Sequence, residues 1–193
     1  MKKVSLFIMI LTFGLVTVSA QKTFKADPAA TVITWNGKKI GGEHTGTINL
    51  KEGWLTVDKK AITGGEFIVD MATIKDTDIK DEGMRGKLEG HLKSDDFFGV
   101  EKFPVSKLVI TGSTPGADGT LLVKGKLTIK ASTNPVEFTA KSSVAGDVTT
   151  WSALVKIDRS LYDVRYGSGK FFPNIGDKAI SDDFTLDIKL EAK

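Results

Sequence analysis

Residues 121–130, LLVKGKLTIK (Leu121 to Lys130), alternate without a slip. Val123, Gly125, Leu127 and Ile129 share one side, while three of the four intervening positions are lysine. A period of two with one apolar and one charged face describes a β-strand that covers a core on one side and meets water on the other. The pattern repeats downstream. Val136, Phe138 and Ala140 alternate with Glu137, Thr139 and Lys141. Trp151, Ala153, Val155 and Ile157 follow, and then Phe184, Leu186, Ile188 and Leu190 against Thr185, Asp187, Lys189 and Glu191.

Upstream, strands are expected over Thr31–Gly37, His44–Leu50, Gly65–Ala72 and Val105–Thr111, while Trp54–Asp58 is short and ambiguous. In Gly65–Ala72, Phe67, Val69 and Met71 lie on one face. Many strands with one solvated face predict a mainly β, antiparallel sheet closed over its own interior. At about eight strands, closure leaves room for packed side chains or for one small ligand.

Between Ile74 and Leu92 the rhythm changes: Met84, Leu88 and Leu92 recur at helical spacing, with Asp81 placed to cap, which predicts one short helix. The segment Gly90–Pro104 (GHLKSDDFFGVEKFP) then carries Phe97, Phe98 and Phe103 between turn residues. An aromatic load of that size must pack against or inside the sheet. Pro104 holds the residue before it extended, so a strand should start there.

The first twenty residues read as a cleaved export signal. Lys2 and Lys3 precede an apolar run from Val4 to Val18, and Val18-Ser19-Ala20 supplies small residues for cleavage. Of 193 residues this leaves 173, with 25 basic against 24 acidic side chains, enough for one domain over 21–193. The mature chain is expected to lack a membrane span and to be periplasmic or secreted. A nearly neutral balance gives no electrostatic footprint for nucleic acid. With no cysteine, an exported chain must be held by packing alone.

Chemistry is sparse. G-x-S-x-G does not occur, and the only histidines are His44, read as an exposed turn or strand residue, and His91, read as the flank of the helix stripe. The run Asp76, Asp78, Asp81, Glu82 fails the EF-hand pattern, with Lys80 at the fifth position, Asp81 in place of glycine and Lys87 at the twelfth. It reads as a solvated helix entry. No catalytic residue, metal ligand or cofactor is therefore assigned. Arg159, one of three arginines, ends an apolar strand. It could clamp a ligand head group or tie the 159–180 loop to the rim. Trp35, Phe67, Phe138 and Trp151 could fill the interior or line it.

Several blocks in order resemble the YceI-like family: LKSDDFFGVEKFP (92–104), VKGKLTIKASTNPVEF (123–138) and IDRSLYDVRYGSGKFF (157–172), with GGEHTG (41–46), GGEFIVDMATI (64–74) and ISDDFTLDIKLEA (180–192). Ala131-Ser132-Thr133 departs from the usual run at one turn. The resemblance implies a lipocalin-like barrel that holds a long apolar molecule, a polyisoprenoid or isoprenoid quinone, in extracytoplasmic proteins that include dimers. The lining expected for such a lipid is Trp35, Phe67, Val69, Met71, Phe97, Phe98, Leu127, Ile129, Phe138, Trp151 and Val155, with Arg159 and Tyr162 at the rim. Three alternatives stand beside this: a filled barrel that acts through a protein partner, a lipid-modifying enzyme built on the 159–180 loop, and an outer-membrane barrel with its apolar faces turned outward.

Overall fold

The computed structural model describes residues 21–193, so the export signal expected over 1–20 lies outside the described residues. Nine strands form one antiparallel sheet: β1 (Lys22–Lys25), β2 (Val32–Lys39), β3 (Gly42–Asp58), β4 (Ala61–Asp76), β5 (Val105–Pro115), β6 (Leu121–Ile129), β7 (Ser132–Ala145), β8 (Val148–Asp158) and β9 (Ile180–Ala192). The order β3-β2-β9-β8-β7-β6-β5-β4 closes because β3 also pairs with β4. The ring is therefore an eight-stranded barrel. Strand β1 is not a ninth stave. It pairs with the far half of β3, Lys25 opposite Trp54, and bridges to Ala192 of β9 through Ala26, so it extends the lane of β2 across the break at 27–31.

Where alternation is unbroken, the expected strands sit where the sequence puts them. Val123 and Ile129 of β6 are buried, while Lys124 and Lys126 are exposed, with Lys124 reaching Glu137 across the β6–β7 pair at 3.4 Å. The apolar faces point inward and the charged rows outward, which overturns the outward-facing outer-membrane alternative. Among the described residues no helix is long and apolar enough to cross a membrane.

Strands β3 and β4 run longer than expected, and the reason is local. Their pairing shifts register between Thr47 and Asn49, Leu50 and Glu52, and Thr56 and Val57. Each bulge moves the inward phase by one residue. Ile48 and Leu50 therefore face in at even numbers but Leu55 at an odd one, and the ambiguous segment Trp54–Asp58 is the continuation of β3. The contact between β3 and β4 is close enough at Gly46 that a Cβ there would fall 1.8 Å from the Lys75 carbonyl and 2.6 Å from the Trp35 ring.

The helix α1 (Glu82–Lys93) starts later than the change of rhythm suggests, because β4 continues to Asp76. Asp81 caps it, its side chain accepting the Met84 N–H at 2.7 Å. The stripe is only partly used: Met84 is 62% exposed, and Leu88 and Leu92 alone turn toward the barrel. With no buried residue of its own, α1 is a plate across one end rather than a piece of core. Beyond it, Gly99 takes a left-handed turn (φ +55°) that reverses the chain, and β5 begins at Val105, just after Pro104. The two ends of the barrel now differ. The β1 end is shut by packed side chains, with Phe24 set edge-on to Trp151 at 5.0 Å. At the other end lie α1, the Phe-rich turn and the 159–180 loop.

Candidate functional site: the barrel cavity and its mouth

Alternating inward side chains from all eight strands enclose one apolar cavity of about 390 Å³, well within the size of small-molecule sites. Its floor is set by Leu55, Ile62, Val123, Trp151 and Leu190, behind which Phe24, Leu121 and Ala192 are packed. Its upper wall is Leu127, Val136, Phe138, Ala153, Phe184, Leu186 and Ile188. All seven face inward yet are only half-buried, in contrast to the residues of the floor. Core side chains in a filled barrel would be covered by one another. Partial exposure on an inward face means that the upper half of the tube is a lined cavity; of the four aromatics, Phe138 stands in that half-exposed wall, whereas Trp35, Phe67 and Trp151 border the cavity but are themselves buried.

Of the expected lining, Trp35, Phe67, Val69, Met71, Phe97, Phe98, Leu127, Ile129, Phe138, Trp151, Val155 and Arg159 all border the cavity. Tyr162 does not. It is buried in a separate cluster with Ile129, Val155 and Ile157, behind the wall, and that burial pushes its phenol pKa up. Arg159 is 4% exposed. Its Nε donates to Ser181 O (2.9 Å), and its two terminal nitrogens donate to Val164 O (2.8 Å) and Ile180 O (3.0 Å), with Asp182 3.8 Å away. Three of its five donors thus bind backbone carbonyls of the loop and of the start of β9, so tying 159–180 to the rim is its principal work.

The mouth also uses residues that sequence reasoning left out. Lys38 and Lys39, both exposed, His44, Leu88, His91 and Ile180 border the cavity. The ring of His91 stands edge-on to Phe97 (4.9 Å) and Tyr166 (4.5 Å) and its Nε2 lies 3.1 Å from Asp96, so it joins α1 to the Phe-rich turn and the loop. Helical spacing marks Leu88 and Leu92, and alternation marks Leu186 and Ile188. Nothing local marks His91 or His44. His44 is no free surface residue: Nδ1 is 3.0 Å from Asp78 and 3.9 Å from Asp76. Asp76, expected in a solvated helix entry, is instead wholly buried, because β4 carries it inside the wall. Burial raises its pKa, and so does the neighbouring Asp78.

Asp158, the last residue of β8, holds the first half of the loop. Its Oδ1 accepts the Ser160 N–H at 3.0 Å and Oδ2 accepts Lys170 Nζ at 2.6 Å. Burial alone would raise its pKa, but the bonds from Lys170 and Ser160 outweigh it and hold the carboxyl below its ordinary value. A depressed folded-state pKa contributes stability that is complete above the unfolded value of about 3.9 and is lost as pH falls through the folded one. Asp158→Asn should therefore be less stable than the parent at pH 7, with the gap closing below about pH 3.9 in urea titrations.

Residues 24–192 match the family profile described as the YceI-like domain. A UPF0312 protein of Shewanella denitrificans is 29% identical over 102 residues, 53% of this chain, and the match spans about half the length of that relative. Among solved structures, Burkholderia cenocepacia BcnA superposes with a TM-score of 0.71 at 19% identity, covering 87% of this chain and 99% of that one. A polyisoprenoid binding domain from Saccharophagus degradans, implicated in plant cell wall breakdown, gives 0.62 at 12% identity over 88% and 97% of the two chains. The YceI protein of Campylobacter jejuni gives 0.54 at 17% identity over 98% and 91%. Identities this low show a shared fold.

Proposed function

The chain belongs to the YceI-like family, and on that premise we propose that it is an extracytoplasmic carrier that holds a long isoprenoid-type lipid, a polyisoprenoid or isoprenoid quinone, inside the barrel without transforming it. The carrying observation is the upper wall, seven apolar side chains that face inward and stay half-exposed. A chain entering there loses water from each methylene, a gain of about 0.8 kcal/mol per group. The polar end would stay at the mouth beside Lys38, Lys39, His91 and the donors that Arg159 does not spend on the loop. The polyisoprenoid binding named for the Saccharophagus domain supports the ligand class. The basic start, apolar run and small-residue site of residues 1–20 support export with cleavage near Ala20.

Native mass spectrometry of the mature chain, followed by organic extraction, tests this and reads subunit number at the same time. One isoprenoid or quinone per barrel is the expected result. A chain that stays ligand-free and does not shift with added prenyl lipids would overturn it.

A further inference from the structure

We propose that His44, Asp76 and Asp78 form a binding site for one borderline divalent cation of the Zn²⁺ type at the edge of the barrel mouth, beside the apolar cavity that His44 borders and distinct from it in chemistry.

The residues come from three places that the fold brings together. His44 stands near the start of β3, Asp76 ends β4, and Asp78 lies in the turn before α1. One donor atom from each falls within 4.8 Å of the other two. Both carboxylates are already aimed by the backbone. Asp78 Oδ1 accepts the Thr45 N–H at 2.7 Å, which leaves Oδ2 directed at His44 Nδ1, 3.0 Å away. Asp76 Oδ1 accepts the Ile79 N–H at 2.8 Å, and Asp76 Oδ2 lies 3.9 Å from the same histidine nitrogen. With metal bonds of about 2.0–2.2 Å to nitrogen and carboxylate oxygen, tetrahedral ligands stand about 3.4 Å apart. The two separations from the histidine, 3.0 and 3.9 Å, bracket that value, and the two carboxylate oxygens lie within 4.8 Å of each other, so the side chains need only draw together around an ion.

An independent observation points to a ligand. The Asp76 side chain is 0% exposed, and its Oδ2, the atom turned into the cluster, has no hydrogen-bond partner among the described residues. A buried polar atom left unpaired is costly and rare, and a bound ion is one of the few things that accounts for it. The other nearby acid is already engaged, since Glu89 accepts the Asp76 N–H at 3.0 Å. His44 and Asp78 are each about a third exposed, at 32% and 35%, so a cation would enter from solvent, with Asp76 as its deepest ligand and water on the remaining positions. One imidazole with two carboxylates favours Zn²⁺, Co²⁺ or Mn²⁺ over Ca²⁺ and Mg²⁺, which take oxygen alone.

The test uses the mature chain after treatment with chelator and gel filtration. Zn²⁺ and Co²⁺ are titrated by calorimetry and thermal unfolding, with Mg²⁺ as the comparison. One saturable site is expected. A cation at a hundred times its dissociation constant should raise the unfolding temperature by about 5–10 °C. Co²⁺ should give visible absorption bands of a low-coordinate nitrogen–oxygen site. Asp76→Asn, which keeps the shape of the side chain, and His44→Ala should each remove the stabilisation and the bands. Absence of saturable binding, or Co²⁺ bands and affinity unchanged in both variants, would overturn the site. In that case the geometry belongs to a histidine hydrogen-bonded to Asp78, with Asp76 beside it. Lipid content is measured on the same samples. Loss of metal binding with lipid retained, or the reverse, tells a failure of this site from a failure of the carrier reading.

Discussion

Arg159→Leu is expected to cost about 3–5 kcal/mol of folding stability, the range for breaking a buried charged network by removing one partner. The guanidinium donates to three carbonyls at once, those of Val164, Ile180 and Ser181. Leucine fills part of the space but leaves those carbonyls without their donor and Asp182 with only Lys170, 3.9 Å away. For a domain of this size the unfolding temperature should fall by roughly 10 °C. Arg159→Lys keeps the charge and loses the fork, so it should recover only part of the difference. The burial that makes the arginine structural also lowers its pKa, with Asp182 and Asp158 acting the other way. Equal stability of Arg159→Leu and the parent in guanidinium titrations would show that the loop does not depend on this contact.

The second large effect concerns binding. Ala153 lies on the upper wall, opposite Ala140 on one side and Ile188 on the other, and its methyl faces the cavity. Ala153→Phe would place a ring where the proposed lipid chain runs. Displacing about four methylenes removes about 3 kcal/mol, roughly a hundredfold in affinity. The fold should survive, because the ring enters open volume instead of a packed core and gains contacts there. Fluorescence displacement of a prenyl probe, with a melting curve on the same sample, measures both quantities. Parent-like affinity in a well-folded variant would place the ligand outside the barrel.

The legible and illegible parts of this protein separate along physical lines. The wall was legible wherever pairing is regular, as in β6, where Val123 and Ile129 are buried between exposed lysines. It became illegible at the bulges of β3, where each extra residue inverts the inward phase and hides the link between Ile48 and Leu55. The aromatic turn was visible by composition, and Phe97 and Phe98 do border the cavity. Arg159 was conspicuous by scarcity, but choosing between a ligand clamp and a loop tie required the positions of three carbonyl oxygens. His44 and Asp76 meet only because β3 and β4 are paired, thirty-odd positions apart in the chain, and no local pattern carries that information.

The packed floor under Trp151 has a consequence for traffic. A tube open at both ends could pass a molecule through, taking it from one partner while offering it to another. Among the described residues this barrel has a single door, framed by α1, the Phe-rich turn and the 159–180 loop. On the carrier reading, whatever enters tail-first would leave head-first by the same route, so a donor and an acceptor would compete for one face of the protein. As the carrier proposed above, the molecule would be a ferry that completes one crossing before it begins the next, with turnover limited by unloading at that face.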